Sequence, residues 1–169
     1  MNARTALDAA TSSEVEVVLI QIDHPDLPTP IRLSTDPTER ISTDPLIYGT
    51  RSTWLGANPA TEPFLFMLMA ADIPGDLEDA PAAATFVLEN VSQDITAVLR
   101  SFIDRPSVQL AVVLASSPDV IEVEYRGMVM ISSDGAVGEV SIQVSRAPIE
   151  DENVPMDRFT KDRFPGLFR

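Results

Sequence analysis

The sequence predicts a mainly β domain, a β-sandwich or small β-barrel with one flanking α-helix. Three observations carry that expectation. Apolar and polar residues alternate with period two in several short runs, turn-forming residues separate those runs at close intervals, and only one segment of substantial length repeats its apolar residues at helical spacing. Strands and helices do not alternate in the way that builds a parallel sheet.

Asn2 to Ala10 can form a short helix, and Glu14 to Asp23 then reads as a strand with Val15, Val17 and Leu19 facing one way. The alternation slips at Val18, after which Ile20 and Ile22 take over, so the strand holds either a bulge near Val18 or is buried on both faces. From His24 to Asp44 the chain is dense in Pro, Asp, Ser and Thr and reads as a long excursion with a short strand at Ile31 to Leu33. Leu46 to Leu55 reads as a strand pair or edge around Gly49, and Phe64 to Met69 as one continuous apolar strand. Asp72 to Pro81, with Pro, Gly and four carboxylates, is a solvated turn.

A strand at Thr85 to Glu89 leads into the helix, where Val91, Ile95, Val98, Leu99 and Phe102 recur at three- and four-residue spacing. Asn90 is placed to cap it with Gln93 three residues on, and Pro106 blocks its continuation. Val108 to Ala115, Val120 to Tyr125 and Gly127 to Ile131 read as strands, with Asp134-Gly135 as a hairpin turn because that pair tolerates positive φ. In the returning strand, Val137 to Ser145, the residues Val140, Ile142 and Val144 point inward while Glu139, Ser141, Gln143 and Ser145 point outward.

Composition narrows the function. A chain of 169 residues suits one domain, and 44% hydrophobic residues rule out a disordered acidic protein despite a net charge of −14. Nucleic-acid binding depends on clustered Lys and Arg, so this charge argues against specific nucleic-acid binding. The absence of Cys removes disulfides, thiolate metal sites and thiol nucleophiles together. No run approaches the ~20 apolar residues of a membrane span, and the N-terminus lacks the basic start and apolar run of a signal peptide.

The residues that could carry chemistry read more simply as structure, so no catalytic residue, metal ligand or cofactor site is expected. His24, the single histidine, sits beside Asp23 and Asp26, but a metal site wants three convergent ligands and a His-Pro at a strand end makes an ordinary turn. No Gly-x-Ser-x-Gly elbow accompanies it, and no Gly-rich phosphate loop exists. Asp76, Glu78 and Asp79 lack the spacing of an EF-hand, and Glu150, Asp151 and Glu152 read as a hinge.

That hinge divides a core domain, residues 1–153, from an extended C-terminal arm, residues 154–169. The arm holds Phe159, Phe164 and Phe168, three of the seven Phe, and from Asp157 onward Arg158, Lys161, Arg163 and Arg169 give it a net +2 against −16 for the rest. Either these aromatics pack back on their own core or the arm reaches a neighbouring copy, where Phe and Arg make good anchors and the acidic body supplies opposite charge.

Phe164-Pro165-Gly166-Leu167-Phe168, the earlier Ile22-Asp23-His24-Pro25 and the Leu88-Glu89-Asn90-Val91 at the helix start resemble the landmarks of a phage tail family, domain of unknown function 1833, in order and spacing from about Val15 to Arg169. The resemblance implies a distal tail or minor tail protein of a long-tailed bacteriophage, part of the tail tip or baseplate. Such proteins are β-sandwiches with a flanking helix that form homo-oligomeric rings, often hexamers, between the tail tube protein and the tip or hub proteins. On that reading the chain sits in the virion, after assembly in the host cytoplasm, touches no membrane, and lines a bore whose negative charge lets DNA pass without sticking. Two other readings compete with it: a tail-associated module that binds or cleaves glycans through acidic loops such as Asp72 to Asp79, and a small DNA mimic.

Overall fold

The computed structural model describes residues 14–72, 83–89, 104–136 and 139–146. These form ten strands: β1 (Glu16–Asp23), β2 (Ile31–Ser34), β3 (Glu39–Thr43), β4 (Leu46–Thr50), β5 (Phe64–Phe66), β6 (Met69–Asp72), β7 (Ala83–Glu89), β8 (Ser107–Leu114), β9 (Ser117–Ala136) and β10 (Glu139–Arg146). A single 3₁₀ turn, Trp54–Gly56, lies between β4 and β5. The mainly β expectation holds; the segment expected to form the flanking helix and the C-terminal arm lie outside the described residues.

All ten strands belong to one sheet, ordered β3-β4-β5-β2-β1-β8-β9-β10-β7-β6, and every pair is antiparallel except β2 with β5. The sheet is curled into a half-barrel, and chain connectivity forces the curl. Laid flat, β5 and β6 would be seven strand spacings apart, about 34 Å. Only Met67 and Leu68 separate them in sequence, and three residue steps reach at most ~11 Å. The stretch from Phe64 to Asp72 therefore serves both ends of the sheet. Two backbone bonds at its middle continue the seam: Met67 N–H donates to Ser34 O at 2.9 Å, and Glu89 N–H donates to Leu68 O at 2.8 Å. The expected continuous strand at Phe64 to Met69 is thus two strands, because its halves pair with different partners.

The main core collects Ile20 and Ile22 of β1, Leu33 of β2, Ala84, Phe86 and Leu88 of β7, Val108 and Leu110 of β8, Met128 and Met130 of β9, and Val140, Ile142 and Val144 of β10, with Met67 and Met69 of the seam packed against it. A second core lies on the opposite face, where Val17 and Leu19 of β1 and Ala111 and Val113 of β8 meet Phe64, Trp54 and Ala57. β1 is therefore buried on both faces. Its ladder with β8 runs unbroken from Glu16↔Leu114 to Asp23↔Ser107, so two-sided burial, and not a bulge, explains the slip at Val18.

Gly49 fits a tight crossing: a Cβ there would lie 2.0 Å from the carbonyl oxygen of Phe64 on the neighbouring β5. In β10, Val140, Ile142 and Val144 are buried, as the alternation requires. Three other expectations need correcting. Asp134 and Gly135 pair with Ser141 and Val140 inside the β9–β10 ladder, so they are not the hairpin turn. The two strands expected at Val120 to Tyr125 and Gly127 to Ile131 are one, because Gly127 at φ +68° bends β9 within the sheet without ending it. β3, polar except for Ile41, forms inside the expected excursion by pairing with β4.

Candidate functional site

Among the described residues the first half of β9 has a neighbouring strand on one side. β8 pairs with it from Ser117 to Val129, whereas β10 reaches only from Ala136 to Met128. Among the described residues no strand pairs with the other side of Ser117–Gly127. The register with β8 slips where Glu122 is the extra residue between Ile121 and Val123, and again where Arg126 and Gly127 stand opposite Gln109. Such bulges twist an edge and mark places where pairing is redirected. The stretch Val120-Ile121-Glu122-Val123-Glu124-Tyr125 is rich in β-branched residues, yet Val120, Ile121 and Val123 are 55%, 38% and 43% exposed.

A turn from the other end of the sheet braces this strand. Ser52 Oγ donates to Pro118 O at 2.8 Å, and Thr53 donates to Asp119 Oδ1 through both its backbone N–H, at 2.6 Å, and its hydroxyl, at 2.8 Å. The indole N–H of Trp54 donates to Glu124 Oε1 at 2.7 Å, and the Arg126 guanidinium lies 2.8 Å from the same oxygen. Trp54 itself is buried in the second core, its ring 5.7 Å from that of Phe64. Next to it Leu55 adopts φ +56°, an uncommon conformation for a side chain of its size, and is held there by packing against the second core.

These bonds set the electrostatics. The Thr53 backbone N–H, then its hydroxyl, hold the Asp119 carboxyl below its ordinary range. The Trp54 indole, followed by Arg126, does the same for Glu124. Glu62 is lowered by the Asn58 backbone N–H and then by the charge of Arg32. Each of these three carboxylates braces a turn or strand, and no two of them share a site.

His24 closes a turn. Its side chain is buried, Nδ1 accepts the Asp26 N–H at 3.1 Å, and Leu27 N–H donates to the His24 carbonyl at 3.0 Å. Asp23 turns away to Gln21 and Gln109, so the two aspartates beside His24 do not converge on it. No group of three or more His, Cys, Asp or Glu side chains able to hold a metal ion occurs among the described residues. No helix among them is long and apolar enough to cross a membrane.

The expected interaction residues Arg158, Phe159, Lys161, Arg163, Phe164, Phe168 and Arg169 lie outside the described residues, as do Asp76, Glu78, Asp79 and Glu150 to Glu152. The site itself was half visible in the sequence. Val120 to Tyr125 reads as a strand, but nothing local to it shows which of its sides finds a neighbour among the described residues. Trp54, the single tryptophan, was the available signal for the bracing turn, since a buried indole N–H needs an acceptor.

No protein-family model and no curated protein matches the chain. The resemblance to the phage tail family rests on its short motifs alone.

Proposed function

We propose that the chain is a virion structural protein of a long-tailed bacteriophage, a ring-forming adaptor at the distal tail between the tail tube and the tip proteins. The observation that carries this reading is the first half of β9: a strand with exposed apolar side chains and, among the described residues, a neighbour on one side, held in place by hydrogen bonds from a distant turn. Rigid, pre-organised surfaces lose little entropy on docking, which suits a permanent assembly. The flanking helix over Val91 to Phe102 and the C-terminal arm belong to the same reading, with the arm's Phe and basic residues as anchors on a neighbour. The net charge of −14 supports a lumen that repels DNA phosphates.

A glycan-cleaving module would need two carboxyl groups facing one another across a cleft. Among the described residues, Glu62, Asp119 and Glu124 are each engaged by donors of their own. The deciding experiment is native mass measurement of the purified chain and of a version ending at Arg158. The proposal expects a closed oligomer from the first and a folded monomer from the second. An intact chain that stays monomeric at high concentration, or cleavage of cell-wall glycans that Asp76→Asn abolishes, would overturn it.

A further inference from the structure

We infer that residues 51–63 form an acid-released strap, which lifts off the second core as one unit while the sheet beneath it stays folded. The inference is independent of the assembly proposed above.

The segment is built to move separately. Its ends adjoin the paired residues Thr50 and Phe64, so it is a loop closed at its base by the β4–β5 ladder. Within it the backbone bonds to itself: Gly56 N–H donates to Thr53 O, Ala57 N–H to Trp54 O, and the N–H groups of Thr61 and Glu62 to Asn58 O. Every buried residue of the main core comes from β1, β2, β7, β8, β9 or β10. Lifting the segment therefore uncovers Val17, Leu19, Phe64, Ala111 and Val113 on one face and leaves the core on the other face, and the β1–β8 ladder, as they are.

A small apolar anchor holds the strap down. Trp54 and Ala57 are buried and Leu55 is half-buried, whereas Thr53, Gly56, Asn58, Ala60 and Thr61 are exposed. Leu55, at φ +56°, is relieved of that conformation when the strap lifts. Few buried apolar contacts and exposed backbone are the marks of a region that opens below the cost of global unfolding.

The other restraints are ionised. Besides the Ser52 hydroxyl on Pro118 O, the strap is pinned through three carboxylates: Asp119 accepts from Thr53, Glu124 from the Trp54 indole, and Glu62 joins Arg32 of β2 to the Asn58 N–H. The charged groups around them are Arg126, beside Glu124, and Arg51, paired with Glu39; Gln21 links Arg32 to Asp23, and Glu122 lies between Asp119 and Glu124 in the chain. On β8, Ala111 and Val113 stand opposite Glu124 and Ile121, so that side supplies no replacement charge. Each of the three carboxyls titrates below its ordinary range when the strap is down. An open strap thus takes up protons first, and acid shifts the balance toward it, leaving Arg32 and Arg126 without their counter-charges.

Trp54 is the single tryptophan of the chain, so its fluorescence reads the strap while far-ultraviolet circular dichroism reads the sheet. In urea titrations of the full chain, the indole emission should shift to the red at lower denaturant than the loss of the sheet signal, and the interval between the two should widen from pH 7 to pH 3. Hydrogen exchange supplies a second reading. Protection of the Gly56, Ala57, Thr61 and Glu62 amides should fall together over that range, by roughly tenfold relative to the amides of β1 and β8. Glu62→Gln, Asp119→Asn and Glu124→Gln combined should open the interval already at pH 7 and abolish its dependence on pH. Coincident fluorescence and dichroism curves at every pH, or an interval in the parent chain that ignores pH, would overturn the inference.

Discussion

The indole N–H of Trp54 meets Glu124 Oε1 at 2.7 Å across 70 residues of sequence, joining the turn after β4 to the middle of β9. This bond has an ionised acceptor and a buried donor, so removing the donor costs more than removing a neutral surface bond. Trp54→Phe keeps the ring and loses the N–H; we expect a loss of about 1 kcal/mol, given the partial exposure of Glu124. Trp54→Ala also empties the space beside Phe64 and should cost about 3–5 kcal/mol. Urea unfolding of the two variants separates the hydrogen bond from the packing.

Acid should loosen the same brace. Asp119 and Glu124 titrate lower in the folded chain than they would unfolded, so the unfolded state takes up protons first as pH falls. Their contribution is complete above the ordinary carboxylate range, about pH 4, and is lost as pH drops through their lowered folded values. Thermal unfolding followed from pH 7 to pH 3 should show a smaller acid-induced drop for Asp119→Asn and Glu124→Gln than for the parent. An identical drop in all three would refute the assignment.

Burial on both faces of β1 makes a less usual prediction. In a strand with one wet face, neighbouring residues respond oppositely to truncation. Here Leu19 lies in the second core and Ile20 in the main core, at 0% and 2% exposure. Leu19→Ala and Ile20→Ala should each cost about 2–5 kcal/mol by denaturant unfolding. A near-neutral result at either position would mean that its core is misassigned.

Two glycines should fail for different reasons. Gly49→Ala drives a methyl into the Phe64 carbonyl and has no relief except backbone movement, so a loss of about 1–3 kcal/mol or more is expected. Around Gly127 there is open space, and the penalty comes from φ +68° alone. Gly127→Ala should cost about 1–2 kcal/mol, and Gly127→Asn less, because Asn tolerates the left-handed region. Equal losses for Ala and Asn at 127 would argue against that conformation.

Much of the strand content was legible because period-two patterning is local. Val140, Ile142 and Val144 show it plainly, and so does the doubled pattern of β1. The sequence hid whatever depends on distant partners. The break at Met67-Leu68 is invisible in an unbroken apolar run, because it arises where the two halves find different neighbours. β3, with Ile41 as its single large apolar residue, gains its strand form from the β4 ladder and carries little signal of its own. The turn at Asp134-Gly135 was misplaced because turn propensity yields to a register set by core residues on both strands. For the candidate site, the strand was readable and its pairing among the described residues was not, since nothing local to Val120 to Tyr125 marks which of its sides finds a neighbour.

The nine residues from Phe64 to Asp72 have a mechanical consequence. In an ordinary open sheet, outer strands fray independently and the centre survives. Here one stretch supplies rungs to β2 and β4 near one end of the sheet and to β7 at the other, so β5 and β6 cannot leave their neighbours without pulling on each other. Amide protons of β7 and β2 should then exchange with solvent at matching rates, as parts of one cooperative unit, although 48 residues of chain lie between Ser34 and Ala83.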